Sequence, residues 1–202
     1  MVRALLAGTK TQTRRVVKPQ PDVVGRDVGD ALPPVVGVFT PEDQRLGRLA
    51  KAIHCPYGQP GDRLWVREAW RAPASCDHLP PRSISDSEAV RFMADETVGA
   101  EPGFGKGRPG MFMPRWASRI TLEVTAVRVE RLQDISEDDS VAEGLTLSKG
   151  GMWCGAPHPA HGAPRQHYDA RHAYRDLWEQ INGPGSWDAN PWVWAVSFRR
   201  IT

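Results

Sequence analysis

The stretch that most restricts the fold covers residues 120–129. Ile120, Leu122, Val124 and Ala126 share one face of an extended chain, after which Val127 and Val129 carry the apolar phase on the other parity. Side chains alternate along a strand, so a change of parity within one run requires a β-bulge or a sharp bend near Ala126. That is the behaviour of a strand turning the corner of a barrel. With 18 prolines and 19 glycines, the connections around such a strand are turns and irregular loops.

Other elements follow from period and punctuation. Residues 1–6 read as a short helical lead-in. Residues 63–70 alternate as a strand, with Leu64, Val66 and Glu68 on one face and Trp65 and Arg67 on the other. Short strands are predicted at residues 35–39 and 88–94. Pro191 precedes a final strand whose Trp192, Trp194, Val196 and Phe198 face the core. Residues 135–144 form a helix, with Ser136 as N-cap, an acidic first turn and Gly144 at the stop. Helical spacing returns over 168–181 and ends at Asn182-Gly183-Pro184, whereas 145–167 read as loop and 99–110 as a Gly-rich mobile segment. The chain of 202 residues is expected to be a single domain, α+β in class, with insertions at about 18–62, 71–112 and 145–167.

Composition narrows the setting. The net charge of +2 is too small to identify a nucleic-acid binder by itself. Three cysteines do not make a disulfide framework, and no apolar run is long enough to span a bilayer; with no charged-then-apolar leader, a cytoplasmic protein is expected. Cys55, Cys76 and Cys154 with His54, His78, His158 and His161 supply soft ligands without the paired spacing of a zinc site, so burial as small hydrophobes is the favoured reading and no metal or cofactor is assigned.

The densest chemistry lies in Gly8-Thr9-Lys10-Thr11-Gln12-Thr13-Arg14-Arg15, an amine, hydroxyls and guanidinium groups behind a glycine. Such a run is either a solvated basic face or the wall of a site. Glu68 on an apolar face must pair with an arginine or point into a polar pocket, because an unpaired buried charge is costly. Glu143 sits in the last helical turn, at the negative end of the dipole; either a surface position absorbs that cost or the carboxylate is held near a cation or a substrate proton. Arg115, Trp116 and Arg119 are suited to stacking on a base or contacting phosphate, and equally to bracing the sheet.

The run from Leu6 to Arg14 resembles the Gly-x-Lys-Thr-x-Thr-x-Arg signature of ASCH-domain proteins. Residues 55–70, 113–144 and 176–201 are similar to further blocks of that family, including its bacteriophage members. The resemblance implies a PUA-like β-barrel of about five to six mixed strands with flanking helices and long loop insertions. It also implies a metal-independent amidohydrolase acting on N4-acylated or otherwise modified cytidine, with Lys10, Thr13 and Glu143 catalytic. Arg14, Glu68, Arg115, Trp116 and Arg119 are the expected substrate-binding residues. The partner is then a modified nucleoside or RNA in the cytoplasm, that of the host for a phage protein, with no membrane involved. Lys10 takes the Thr13 proton for attack on the acyl carbon, or stabilises the oxyanion while water attacks. The alternatives are a PUA-like module that binds RNA or modified nucleic acid without turnover and, third, a ribonuclease. A structural Lys10–Glu143 ion pair produces the same residue pattern.

Overall fold

A computed structural model of the chain describes residues 1–21, 35–38, 51–96, 102–157 and 162–202. In chain order the elements are α1 (Val2–Leu6), β1 (Gln12–Val16), β2 (Val35–Val38), β3 (Lys51–His54), β4 (Arg63–Trp65), β5 (Trp70–Arg71), β6 (Arg91–Phe92), β7 (Thr121–Arg131), α2 (Glu137–Ala142), β8 (Thr146–Leu147), β9 (Trp153–Pro157), β10 (Pro164–His167), α3 (Ala170–Asn182) and β11 (Trp192–Arg200). The class is α+β, with a curled antiparallel half-barrel sheet and few helices. The chain divides into two compact units. One holds Arg3–Asp62 and Glu123–Arg199 with Met1, and the other Arg63–Leu122 with Val2 and Arg200–Thr202.

In the first unit β11 lies between β1 and β7. It pairs antiparallel with β1, Thr13 opposite Val196 and Val16 opposite Val193. The alternation predicted for β11 is only half of what is found. Val193 and Ala195 are as buried as Trp194 and Val196, because a central strand covered on both faces has no solvent side. Val193 packs with Leu132, Ile135, Tyr174, Trp178 and Trp187 in a core beneath α3. Along β7 the buried positions move from Leu122 and Val124 to Val127, while Thr125 and Arg128 stay exposed.

Residues 145–167, expected as loop, instead contribute β8, β9 and β10 to a three-stranded sheet. Cys154 lies opposite Thr146 on one side and Gln166 on the other, with a register shift between Pro164 and Gln166. Their Gly, Pro and His content hides them, since backbone pairing rather than an apolar stripe defines them; Trp153 alone packs on the core. Residues 35–38 form the first half of a hairpin with β3. Pro33, Pro34, Phe39, Gly99, His158 and His161 lie outside the described residues.

In the second unit β4 lies beside β7, whose first two residues belong to this unit. The predicted strand over 63–70 is interrupted after Trp65 and resumes as β5, which pairs with the two residues of β6, all that forms of the strand expected at 88–94. Trp70, Cys76, Ile84 and Met113 make its core. Arg108 is buried, donates to the Cys76 carbonyl at 2.8 Å, and lies 5.7 Å from the centre of the Trp70 ring.

Candidate functional site

Two chain reversals bring Lys10 to Glu143. At the first, α1 ends and Gly8 turns with φ +73°, after which the Thr9 and Lys10 amides both donate to the Ala4 carbonyl at 2.9 and 3.1 Å. At the second, α2 starts on Ser136, whose hydroxyl accepts from the Asp139 amide at 3.1 Å, and closes on Glu143 as C-cap. Gly144 then takes φ +88°, and a Cβ there would stand 2.8 Å from that of Lys10. Only glycine permits both that backbone angle and that approach. The Thr11 amide donates to the Ala142 carbonyl at 2.8 Å, locking the end of α2 against the entry to β1.

Lys10 and Glu143 are 8% and 6% exposed. The Lys10 ammonium donates to the Glu143 main-chain oxygen at 2.7 Å and to its Oε2 at 2.8 Å. A lysine has three donors, so these two bonds leave one N–H for a ligand. The other carboxylate oxygen, Oε1, accepts from Arg14 Nη1 and from the Tyr174 hydroxyl, each at 3.3 Å.

Behind this pair Arg14, 1% exposed, is saturated. Its Nε and Nη2 reach Glu130 Oε1 at 2.9 and 2.6 Å, Nη2 also reaches Asp139 Oδ2 at 2.9 Å, and Nη1 donates to Gln12 Oε1 at 2.6 Å as well as to Glu143. A guanidinium has five N–H groups, and all five are used among these partners. Arg14 therefore has no donor left for a ligand.

Burial and charge move the titrations in different directions. Desolvation pushes the Lys10 amine below its ordinary 10.5; Glu143 opposes the fall, and Arg15 and Arg14 add to it. Burial alone would lower Arg14, but Glu130 and Glu143 reverse the effect and raise it. The Tyr174 hydroxyl is pushed well above 10.0, first by burial and then by Glu143.

Lys10 and Glu143 form part of the wall of a cavity of about 550 Å³, within the range of small-molecule sites. Tyr174, Leu177 and Trp178 of α3, with Leu145, Thr146 and Cys154, line much of the rest. Thr13, Arg14, Arg15 and Val16 also border it, along the outer edge of the sheet that β1 forms. In β1 the residues alternate, so Thr13 belongs to the opposite sheet face from Gln12 and Arg14. The buried indole Nε1 of Trp178 has no hydrogen-bond partner among the described residues.

No family model, curated protein or solved structure matches the chain.

Glu68, Arg115, Trp116 and Arg119 belong to the second unit. There Glu68 is paired with an arginine: Arg119 Nε and Nη2 donate to its two carboxylate oxygens at 2.9 and 3.0 Å. Arg119 also binds Asp95 and lies 3.9 Å from the centre of the Phe92 ring. Arg115 lies 5.6 Å from the centre of the Trp65 ring, with Arg67 at 4.6 Å, and Trp116 is exposed with its ring edge-on to Trp70. Among the described residues no three His, Cys, Asp or Glu side chains are grouped to hold a metal.

Sequence reasoning missed Tyr174, Gln12, Glu130 and Asp139. Two signals were present. Lys10, Gln12 and Arg14 share one parity of a strand, and Asp139 precedes Glu143 by one helical turn. Tyr174 gave no such signal, because its place in an apolar helical stripe makes the ring look like core.

Proposed function

We propose that the chain is a PUA-like protein of the ASCH type and a metal-independent amidohydrolase for N4-acylated or otherwise modified cytidine or a related nucleoside. The observation that carries this reading is the buried Lys10 amine, held by two oxygens of one glutamate at the wall of a nucleoside-sized cavity. A lysine becomes a base near neutral pH only when its pKa is depressed, and burial acts in that direction here. The apolar and aromatic walls from α3 suit the flat face of a base.

Hydrolysis requires a nucleophile on the acyl carbon and a proton for the departing N4. In the covalent route the Thr13 hydroxyl attacks, Lys10 takes its proton and Glu143 relays one to N4 as the C–N bond breaks; water then cleaves the threonine ester. In the direct route water attacks, Glu143 takes its proton, the Lys10 ammonium holds the oxyanion through its remaining N–H, and Glu143 then passes the proton to N4 as the C–N bond breaks. Among the described residues no hydrogen bond joins the Thr13 hydroxyl to the Lys10 ammonium, whose two bonds both go to Glu143, which favours the direct route. Arg14 acts in both by fixing the Glu143 carboxylate.

The test is release of cytidine and acetate from N4-acetylcytidine by the wild type, Lys10→Ala and Thr13→Ala. Loss of about 10²–10⁴-fold in Lys10→Ala supports the reading, and Thr13→Ala distinguishes the routes, falling with the first and retaining most activity with the second. Equal turnover in wild type and Lys10→Ala overturns it. Nucleoside binding without turnover marks the chain as a binding module instead.

A further inference from the structure

A second cavity, of about 370 Å³, adjoins the first and shares Arg15, Val16 and Asn182 with it. Its wall carries three nitrogen donors, Arg15, Lys18 and His54, beside the rings of Tyr57 and Trp194, and among the described residues no Asp or Glu is part of its lining. Among the described residues none of the three donors is ion-paired with a carboxylate. The contrast with the neighbouring residue is sharp: Arg14 is buried among Glu130, Asp139 and Glu143, whereas Arg15 is exposed and spends one N–H on the Arg14 carbonyl, at 3.0 Å. That bond ties the guanidinium to the strand edge, and among the described residues its other donors meet no acceptor.

We propose that this second cavity is a phosphate subsite, and that the substrate is a nucleotide, as a monophosphate or within a short RNA, rather than a free nucleoside. The inference rests on the nucleoside reading of the first cavity. Convergent cations without a competing carboxylate are what a phosphate ester requires, and a guanidinium with an ammonium binds it by charge-assisted hydrogen bonds. Because Arg15, Val16 and Asn182 line both cavities, a base in the first would leave its sugar at the boundary and its phosphate beyond. The half-buried Tyr57 ring offers an apolar surface for the sugar or for the next base of a polymer.

The test measures binding, so that it is independent of turnover. Affinities for cytidine, cytidine 5′-monophosphate, cytidine 3′-monophosphate and a cytidine-centred ribotrinucleotide are compared in the wild type and in Arg15→Gln, Lys18→Gln and His54→Gln by titration calorimetry. At least one phosphorylated ligand is expected to bind about tenfold or more tightly than cytidine, with the preference lost as salt rises and reduced about tenfold in Arg15→Gln or Lys18→Gln. Preference for a monophosphate identifies a mononucleotide substrate, and preference for the trinucleotide alone a polymer. Equal affinities for cytidine and every phosphorylated ligand, or a preference that all three variants retain, overturns the subsite. A phosphate preference in a protein that fails to hydrolyse N4-acetylcytidine, acylated mononucleotides or an acylated trinucleotide leaves the subsite standing and removes the hydrolase reading alone.

Discussion

Lys10 is the residue on which the chemistry turns, and its pKa gives the routes opposite signatures. If Lys10 is the base, kcat/KM rises with pH as the amine loses its proton, with a midpoint below the ordinary 10.5. If its ammonium holds the oxyanion, kcat/KM falls over the same interval. Glu143 opposes the depression of Lys10, so Glu143→Gln moves either limb to lower pH as well as slowing the reaction. A pH–rate profile of both proteins reads the sign and the shift together. Arg14 makes a separate prediction. Replacing it by Met leaves Glu130, Asp139 and Glu143 without their shared cation, at a cost of about 3–5 kcal/mol in denaturant unfolding. A loss under about 1 kcal/mol would mean that the cluster is far better hydrated than its burial indicates.

At the scale of elements, α2 is the part of the site best written in the sequence. Ser136, the acidic first turn and Gly144 announced its ends, and both ends are as expected. What was hidden is that Gly144 also makes room for Lys10. Gly144→Ala should cost about 1–3 kcal/mol through backbone strain and displace the amine, lowering activity more than Ser136→Ala, which loses about 1 kcal/mol of capping and touches neither partner. Equal activity in the two variants would show that the Lys10 approach is not critical. The parity change in β7 was legible because apolar residues mark it. By contrast, β8, β9 and β10 escaped because three short polar strands gain their stability from mutual pairing and from α3, neither of which is a local property. Thr13 was paired with Lys10 by the resemblance; it borders the same cavity as Lys10, from the opposite face of β1 to Gln12 and Arg14.

For the whole molecule, among the described residues no helix is long and apolar enough to cross a membrane. The net charge of +2 conceals, among the described residues, a division between a neutralised cluster around Arg14 and an unneutralised one around Arg15. Global stability should carry the mark of Tyr174. Its hydroxyl stays protonated in the folded protein above the pH at which the unfolded chain ionises, near 10.0, so the stability it contributes is full below that value and is lost as pH rises beyond it. Denaturant unfolding between about pH 9 and 11 should therefore show a steeper loss in the wild type than in Tyr174→Phe; parallel curves would contradict the burial of that hydroxyl. The most direct test of the central claim is the rate of cytidine release from N4-acetylcytidine by the wild type and by Lys10→Met, which keeps the side-chain length and removes the amine. The account predicts measurable turnover in the first and a fall of about 10²–10⁴-fold in the second with folding intact, whereas equal rates in the two proteins, or none in the wild type, would contradict it.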